Sequence, residues 1–250
     1  MKTINLVGYG NVGQHIANMF SHLTDFQLQA VYTRTPIEQE NLPFENVLSL
    51  DEMPFADLTI ISVKDDAIAE ISTQLPYKDS LVVHTSGSQP MEILSSKNRK
   101  GVWYPLQTFS KEKTINYAEI SFFLEVEYER DRQIIEHFTK SISSSYCFLN
   151  SQQRKQLHIT AVFACNFVNH LWTISEDIAS KNQIPFQFLH PLIKETVDKI
   201  QYLSPKQAQT GPAVRKDLTV IEKHLQTIEN ESYKEIYKLL TNSIIQTHEL

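Results

Sequence analysis

Three glycines near the N-terminus have the spacing of a dinucleotide-binding loop. They follow a short apolar run and form a G-x-G-x-x-G pattern. In such a pattern the first glycine permits a tight turn, the second lets the backbone approach a pyrophosphate, and the third lets a helix pack closely on the strand. The free N–H groups at the start of that helix favour an anion. The predicted loop consists of Gly8, Tyr9, Gly10, Asn11, Val12 and Gly13. An ordinary turn between a strand and a helix is the alternative.

The residues after the second predicted strand bear on the choice between NAD and NADP. NAD sites of this kind usually carry an acidic residue there, whereas a nearby arginine accommodates a 2′-phosphate. This chain has Thr33, Arg34 and Thr35 at the strand end, without a carboxylate. A guanidinium flanked by hydroxyls can hold a phosphate. We therefore predict NADP in preference to NAD, the alternative being a solvated Arg34.

Three other strand ends carry groups that could take part in catalysis. Ligands of a doubly wound sheet bind beyond the carboxyl ends of its strands. Val63 and Lys64 follow a continuous apolar strand, and Lys64 is placed either toward a nicotinamide or in solvent. His84 and Ser86 end the next strand and bring an imidazole and a hydroxyl. Tyr104 follows a third strand and could form one wall of a substrate pocket.

The second half of the chain adds polar residues on predicted helices. His158, Val162, Asn166 and His170 recur every four residues and predict a stripe along one helix face. The alternative, which we favour for Asn169 and His170, is a buried Asn or His with satisfied hydrogen bonds. Arg215 is a candidate clamp for a substrate carboxylate. Asp217 is either a substrate ligand or the cap of the following helix.

Other site chemistries lack their signatures in this sequence. No metal-ligand spacing occurs among the nine histidines and two cysteines, and the glycine pattern lacks the Lys-Ser/Thr ending of a phosphate-binding P-loop. Neither G-x-S-x-G nor H-E-x-x-H is present. We therefore expect neither a bound metal nor phosphoryl transfer.

The first 150 residues alternate between strand and helix signals, which predicts an α/β fold with a doubly wound, mainly parallel Rossmann sheet. The predicted strands are 3–7, 28–32, one near 47, 58–63, 81–84, 101–104, 121–125 and 146–149, and the predicted helices include 12–20, 66–74 and 130–141. Long helical periodicity follows. The later helices are predicted at 154–181, 186–202, 219–229 and 233–247. We place the domain boundary after Asn150, with a dinucleotide domain at 1–150 and an all-α domain at 151–250.

Composition limits the class of protein. The chain has 250 residues, 41% of them hydrophobic and 21% charged, which is typical of a globular protein. A net charge of −6 argues against a nucleic-acid surface. Only two cysteines occur and no apolar run approaches the length of a membrane span, so we expect a reduced cytoplasmic protein without membrane contacts.

The motifs together resemble a known family. The chain is similar to the Rossmann-like oxidoreductases that carry a C-terminal domain of unknown function 2520, within the 6-phosphogluconate and β-hydroxyacid dehydrogenase-like superfamily. The segments that carry the resemblance are GYGNVGQHIA from Gly8, SVKDDAI from Ser62, VVHTSGS from Val82, YPLQTF from Tyr104, HITAVFACNFVNHL from His158 and TGPAVRKDLTVIEKHL from Thr210. The resemblance implies an NADP-linked enzyme that dimerises through its helical domain and holds its substrate between the two domains.

The resemblance also implies roles for single residues. Related β-hydroxyacid dehydrogenases use a Lys as general acid and an Asn, four residues later, as substrate anchor. Asn166 matches the Asn, but Val162 stands at the Lys position. Another residue must then donate the proton, and the candidates are His158, His84 and Lys64.

Two further positions depart from the family pattern. Tyr104 stands where a His is expected. Arg215, Lys216 and Asp217 stand where Arg-Gly-Asp is usual.

The predicted function is hydride transfer between NADPH and a carbonyl or imine carbon of a small anionic metabolite such as a 2-oxo acid or ketopantoate. We assign the proton donor to His158, substrate orientation to Asn166 and Ser86, and anion binding to Arg215. Two alternatives remain: a non-catalytic NADP-binding sensor that retains the fold, and a structural dimerisation protein. The expected partners are the small-molecule substrate and a second copy of the chain.

Overall fold

A computed structural model of the chain describes residues 1–39, 41–111 and 113–249. Within these residues eight strands form one sheet in the order β3-β2-β1-β4-β5-β6-β7-β8. The strands are β1 (Lys2–Val7), β2 (Phe26–Tyr32), β3 (Glu45–Val47), β4 (Leu58–Ile61), β5 (Leu81–His84), β6 (Arg99–Leu106), β7 (Ser121–Val126) and β8 (Tyr146–Phe148). All pairs are parallel except β6 with β7. The strand order reverses between β1 and β4, which is where such sheets bind ligands.

The sheet is buried on both faces, as the unbroken apolar runs of its central strands predict. Alternate residues of β4 belong to different hydrophobic clusters, Leu58 and Ile60 on one face and Ile61 on the other. The first face packs against α1 (Asn11–Met19), and the second face packs against α2 (Ile68–Gln74). The predicted Rossmann architecture is confirmed.

Two further helices complete the first part of the chain. α3 (Glu129–Lys140) packs Ile135 and Phe138 on the same face as α1. α4 (Ser151–Ala161) begins at a capping box, in which Asn150 and Gln153 each bond the backbone of the other.

The remaining described residues are helical apart from their connections. A π-helical segment (Val162–Asn166) follows α4 and leads into α5 (Phe167–Lys181). The other helices are α6 (His190–Lys199), α7 (Pro205–Ala208), α8 (Leu218–Thr227) and α9 (Glu231–Glu249). The predicted single helix over 154–181 is therefore interrupted, because the π segment replaces i→i+4 hydrogen bonds with i→i+5 bonds.

The chain forms two compact units, Met1–Val162 and Phe163–Leu250. This division falls later than the predicted boundary after Asn150, because α4 is held to the sheet of the first unit by a buried side chain, Arg154. None of the helices in the described part of the chain is both long and apolar enough to cross a membrane.

Candidate cofactor and catalytic site

Four strands, β2, β1, β4 and β5, end in line at one edge of the sheet, and β6 continues past this row to Leu106. The pairing register places Tyr32, Val7, Ile61, His84 and Val102 side by side across β2, β1, β4, β5 and β6. The residues that follow β2, β1, β4 and β5 therefore leave the sheet at the same edge. These include most of the residues of the first unit that the sequence predicts to bind a ligand. Tyr104 lies within β6, opposite Phe123 of β7, and not after a strand as predicted.

The glycine loop at this edge has two packed glycines and one open glycine. Gly8 has φ +98°, and a Cβ built on it would lie 2.3 Å from the Ser62 carbonyl oxygen. A Cβ on Gly13 would lie 2.2 Å from the Gly8 carbonyl oxygen. A Cβ on Gly10 would meet no atom within 4 Å. The backbone of Gly10 thus faces open space, as a loop that receives a pyrophosphate requires.

The start of α1 leaves its backbone donors available to an anion. Gly10 is the N-cap residue and provides no side-chain cap, and the first turn contains no acidic residue. The Tyr9 carbonyl accepts a hydrogen bond from Gln14 Nε2 at 3.1 Å, which fixes the loop against its helix. Asn11 Nδ2 donates to the Phe109 carbonyl at 3.3 Å. The half-buried Val12 packs on the core, so the loop is anchored from both sides.

The loop after β2 presents Arg34 to solvent. Arg34 takes part in no salt bridge within the described ranges, so its guanidinium is available to a phosphate. The Thr33 hydroxyl donates to the Thr35 carbonyl at 2.7 Å and accepts from Asn46 Nδ2 at 2.8 Å. Thr33 therefore shapes the loop. Asn46 is part of this candidate site and was not predicted from the sequence.

The segment after β4 lies beside the glycine loop. Val63 Cγ1 would be 2.9 Å from a Cβ on Gly8, so this side chain packs directly on the loop. Lys64 is exposed. Asp65 accepts a short hydrogen bond from Ser88 Oγ, which ties the ends of β4 and β5 together.

His84 and Ser86 are engaged within the loop after β5. His84 is fully buried, and its Nδ1 accepts the Ser86 backbone N–H at 3.1 Å. Burial, together with the nearby Arg154 charge, lowers the pKa of His84 to about 4. The imidazole is therefore neutral at physiological pH. Ser86 Oγ accepts backbone N–H groups from Ser88 at 3.2 Å and Gln89 at 3.1 Å.

Tyr104 and His158 form a hydrogen-bonded pair over Gly87. The Tyr104 hydroxyl lies 3.1 Å from His158 Nδ1. A Cβ on Gly87 would lie 2.7 Å from both His158 Nδ1 and Tyr104 Cζ, so only glycine leaves room for the pair. Burial raises the pKa of Tyr104, which keeps the phenol protonated and uncharged. The sequence named both residues but not their contact.

A buried ion pair fixes the helix that carries His158. Arg154 is 1% exposed and bonds the Glu125 carboxylate through Nη1. Its Nη2 donates to the Gln89 carbonyl at 2.6 Å, and Ser151 Oγ donates to Glu125 at 2.8 Å. Arg154 stands one turn before His158, so these bonds set where His158 lies. The signal in the sequence was a charged residue, Glu125, within an otherwise apolar strand.

The other predicted site residues belong to the second unit. Asn166 and Arg215 are exposed. The Asp217 side chain accepts the Val220 N–H at 3.1 Å and so caps α8. Lys216 has φ +52°, the left-handed region that favours glycine, which accounts for the usual Arg-Gly-Asp in the family pattern.

The predicted stripe on the long helix divides by exposure. His158 and Val162 are half-buried, whereas Asn166 and His170 are exposed. No cluster of three or more His, Cys, Asp or Glu side chains in the described residues could hold a metal ion.

Comparisons with known proteins agree with this architecture. A solved structure from Bacteroides fragilis, described as a candidate NADP oxidoreductase, is 35% identical over 98% of each chain, with a TM-score of 0.88. A pyrroline carboxylate reductase from Plasmodium falciparum, solved with NADP bound, shares the fold at 15% identity over 99% of this chain and 97% of that chain, with a TM-score of 0.60. A reductive aminase from Aspergillus terreus, solved with NADPH, shares it at 14% identity over 99% and 94%, with a TM-score of 0.72.

No match was found among curated proteins. The family model described as Domain of unknown function (DUF2520) matches residues 120–244, half of the chain. Together with the 35% identity to the Bacteroides fragilis protein over almost the whole chain, this match confirms the predicted resemblance. The chain therefore belongs to the DUF2520 family.

Proposed function

We propose that the protein is an NADP-dependent oxidoreductase that transfers a hydride between NADPH and a carbonyl or imine carbon of a small anionic metabolite. The observation that carries the proposal is the Tyr104–His158 pair, which lies at the same sheet edge as the open glycine loop. The candidate NADP oxidoreductase from Bacteroides fragilis, a 35% identical relative, supports the choice of chemistry.

The glycine loop and Arg34 would hold NADP. The first backbone N–H groups of α1 bind the pyrophosphate, because a helix start has unpaired donors and a favourable dipole. Arg34 binds the 2′-phosphate as a bidentate donor. When bound, the nicotinamide supplies the hydride.

His158 supplies the proton that the reduction requires. The imidazolium form donates from Nε2 to the nascent alkoxide oxygen or to the imine nitrogen, and is reprotonated from solvent. The neutral Tyr104 hydroxyl oxygen accepts a hydrogen bond from Nδ1–H of the imidazolium, at an O–N distance of 3.1 Å, and so holds the ring in place. His84 is a weaker candidate for this step, because it is fully buried and its pKa is lowered to about 4.

Arg215 would bind the anionic group of the substrate, and Asn166 would orient it. Both side chains are exposed, and Arg215 takes part in no salt bridge within the part of the chain that the structure describes. A guanidinium that is free of carboxylates is available for bidentate binding of a substrate carboxylate.

A non-catalytic NADP sensor is the second candidate function. It is favoured by Val162, which stands where related dehydrogenases carry the general acid. Both candidates bind NADPH. Only the enzyme oxidises NADPH when a substrate is added.

We also propose that the chain pairs with a second copy of itself through its helical unit. This unit exposes many large apolar side chains, which monomeric proteins rarely leave in contact with water. They include Phe163, Phe167, Phe188, Leu192, Tyr202, Leu218 and Leu239. Light scattering coupled to gel filtration is expected to give twice the chain mass of 28.9 kDa, and a monomer would refute the pairing.

Calorimetric titration with NADPH and NADH tests the cofactor site. Arg34→Ala is expected to weaken NADPH binding about 10- to 100-fold, because a charge-assisted bidentate contact contributes about 1.5–3 kcal/mol. The affinity for NADH is expected to stay within twofold of that of the unchanged protein. Arg130→Ala is the matched control, since Arg130 is an exposed arginine on α3. Equal weakening of both cofactors by Arg34→Ala would refute the 2′-phosphate site.

A screen for NADPH oxidation tests the reaction. The panel contains 2-oxo acids, ketopantoate and cyclic imines. With any active compound, His158→Gln is expected to lower kcat about 10²-fold or more, since a positioned acid contributes about 10²–10⁴-fold. His137→Gln, at an exposed histidine on α3, is the control. Binding of NADPH without turnover of any compound would favour the sensor.

A further inference from the structure

The loop that carries Arg34 is closed by one side chain on the neighbouring edge strand. Asn46 lies on β3, directly opposite Val31 of β2. Its Oδ1 accepts the Ile37 N–H at 2.9 Å, and its Nδ2 donates to the Val31 carbonyl at 3.1 Å and to Thr33 Oγ1 at 2.8 Å. The amide therefore joins the strand before the loop to both ends of the loop.

Thr33 extends this network across the base of the loop. Its backbone N–H donates to the Val47 carbonyl at 3.1 Å. Its hydroxyl accepts from Asn46 and passes its own hydrogen to the Thr35 carbonyl at 2.7 Å. Arg34 lies between these fixed residues, with an exposed side chain and a backbone held on both sides.

We propose that Asn46 is the positioning residue that gives the cofactor site its preference for NADPH over NADH, without touching the cofactor. This inference rests on the proposed function, because it needs Arg34 to bind the 2′-phosphate. The Asn46 amide has both of its hydrogens and its oxygen engaged within the loop, so it acts through Arg34. A bidentate guanidinium binds well only when its backbone is held in place beforehand.

The role predicts a selective loss of affinity. Without the Asn46 amide, binding of the cofactor must itself order the loop, which costs free energy. This cost weakens NADPH binding, because only NADPH has the 2′-phosphate that contacts the loop. NADPH is therefore expected to bind about 10-fold more weakly, the effect of one or two lost hydrogen bonds. NADH lacks the 2′-phosphate and is expected to bind within twofold of the unchanged protein.

The experiment is a double-mutant cycle on the full chain, with dissociation constants for NADPH and NADH. The variants are Asn46→Ala, Arg34→Ala and their combination. Asn116→Ala is the matched control, because Asn116 also caps a turn, by accepting the Ala118 N–H at 3.3 Å, outside this loop. We expect the combined variant to bind NADPH no more weakly than Arg34→Ala alone, and the control to leave both affinities unchanged.

Three outcomes would overturn the inference. If Asn46→Ala weakens the binding of NADPH and NADH equally, Asn46 does not act through Arg34. The same conclusion follows if the losses of NADPH affinity from Asn46→Ala and Arg34→Ala add fully in the combined variant. If Arg34→Ala lowers the NADPH preference and Asn46→Ala does not, only the role of Asn46 fails. If Arg34→Ala itself leaves the preference unchanged, the proposed 2′-phosphate site fails as well. Should Asn46→Ala not fold, Asn46→Thr replaces it, since threonine suits a strand and lacks the amide.

Discussion

Adding one methyl group at Gly87 should slow turnover strongly while leaving NADPH binding intact. The Cβ of Gly87→Ala would lie 2.7 Å from His158 Nδ1 and 2.7 Å from Tyr104 Cζ, about 0.7 Å inside the 3.4 Å at which ordinary contacts begin. Gly87 does not have a positive φ, so the backbone itself accepts alanine. The two rings must move apart, and their 3.1 Å hydrogen bond must lengthen or break.

The size of the effect follows from this displacement. A misplacement of about 1 Å costs about 10²-fold in rate. A retreat of about 0.7 Å should therefore lower kcat about 30- to 100-fold, or about 2–3 kcal/mol in the activation free energy. Overpacking costs about 1–3 kcal/mol of stability. Alanine has less conformational freedom than glycine in the unfolded chain, which stabilises the folded state by about 0.4–1 kcal/mol. The variant should therefore fold.

The assay is kcat for NADPH oxidation with the active compound from the screen, together with calorimetric NADPH binding. Because Gly87→Ala acts on the Tyr104–His158 pair, it should cost little further rate in a His158→Gln background. A Gly87→Ala protein that turns over at the unchanged rate would refute the role of this pair. An equal loss in both backgrounds would show that Gly87 acts through another group.

Three further outcomes are expected. His84 takes a proton near pH 6.5 when unfolded but near pH 4 when folded. Its pH-dependent contribution to the free energy of unfolding, about 3 kcal/mol, is therefore present above pH 6.5 and lost as the pH falls to 4. In urea unfolding, the free energy of unfolding should fall less steeply between pH 6.5 and pH 4 for His84→Asn than for the unchanged protein. Equal slopes would contradict the lowered pKa of His84. Gly10→Ala should fold normally, because its Cβ meets nothing within 4 Å, yet lose NADPH binding at least tenfold (~1.4 kcal/mol); unchanged calorimetric binding would refute the loop assignment. Thr139→Val leaves the buried Trp103 Nε1 without its acceptor at 2.9 Å and should cost about 1–3 kcal/mol in denaturant unfolding, whereas Thr139→Ser should cost less; equal costs would show that packing matters more than the hydrogen bond.

Much of the first unit could be predicted from the sequence, because its signals are local. Unbroken apolar runs such as that of β4 predict strands buried on both faces, and the glycine spacing predicts the turn into α1. All eight predicted strands are present in the described residues. The interruption of the long helix could not be predicted, since no residue type in Val162–Asn166 marks a π turn.

The sequence by itself determined the Rossmann class and the position of the glycine loop, because both depend on residue types at short, fixed spacings. Tertiary structure alone decided which polar groups meet. The contact of Tyr104 with His158 joins residues far apart in the chain, and the hydrogen bonds from Asn46 to the loop around Arg34 depend on strand register. The requirement for glycine at position 87 also depends on tertiary structure. A Cβ there would collide with the rings of Tyr104 and His158, which come together only when the chain folds.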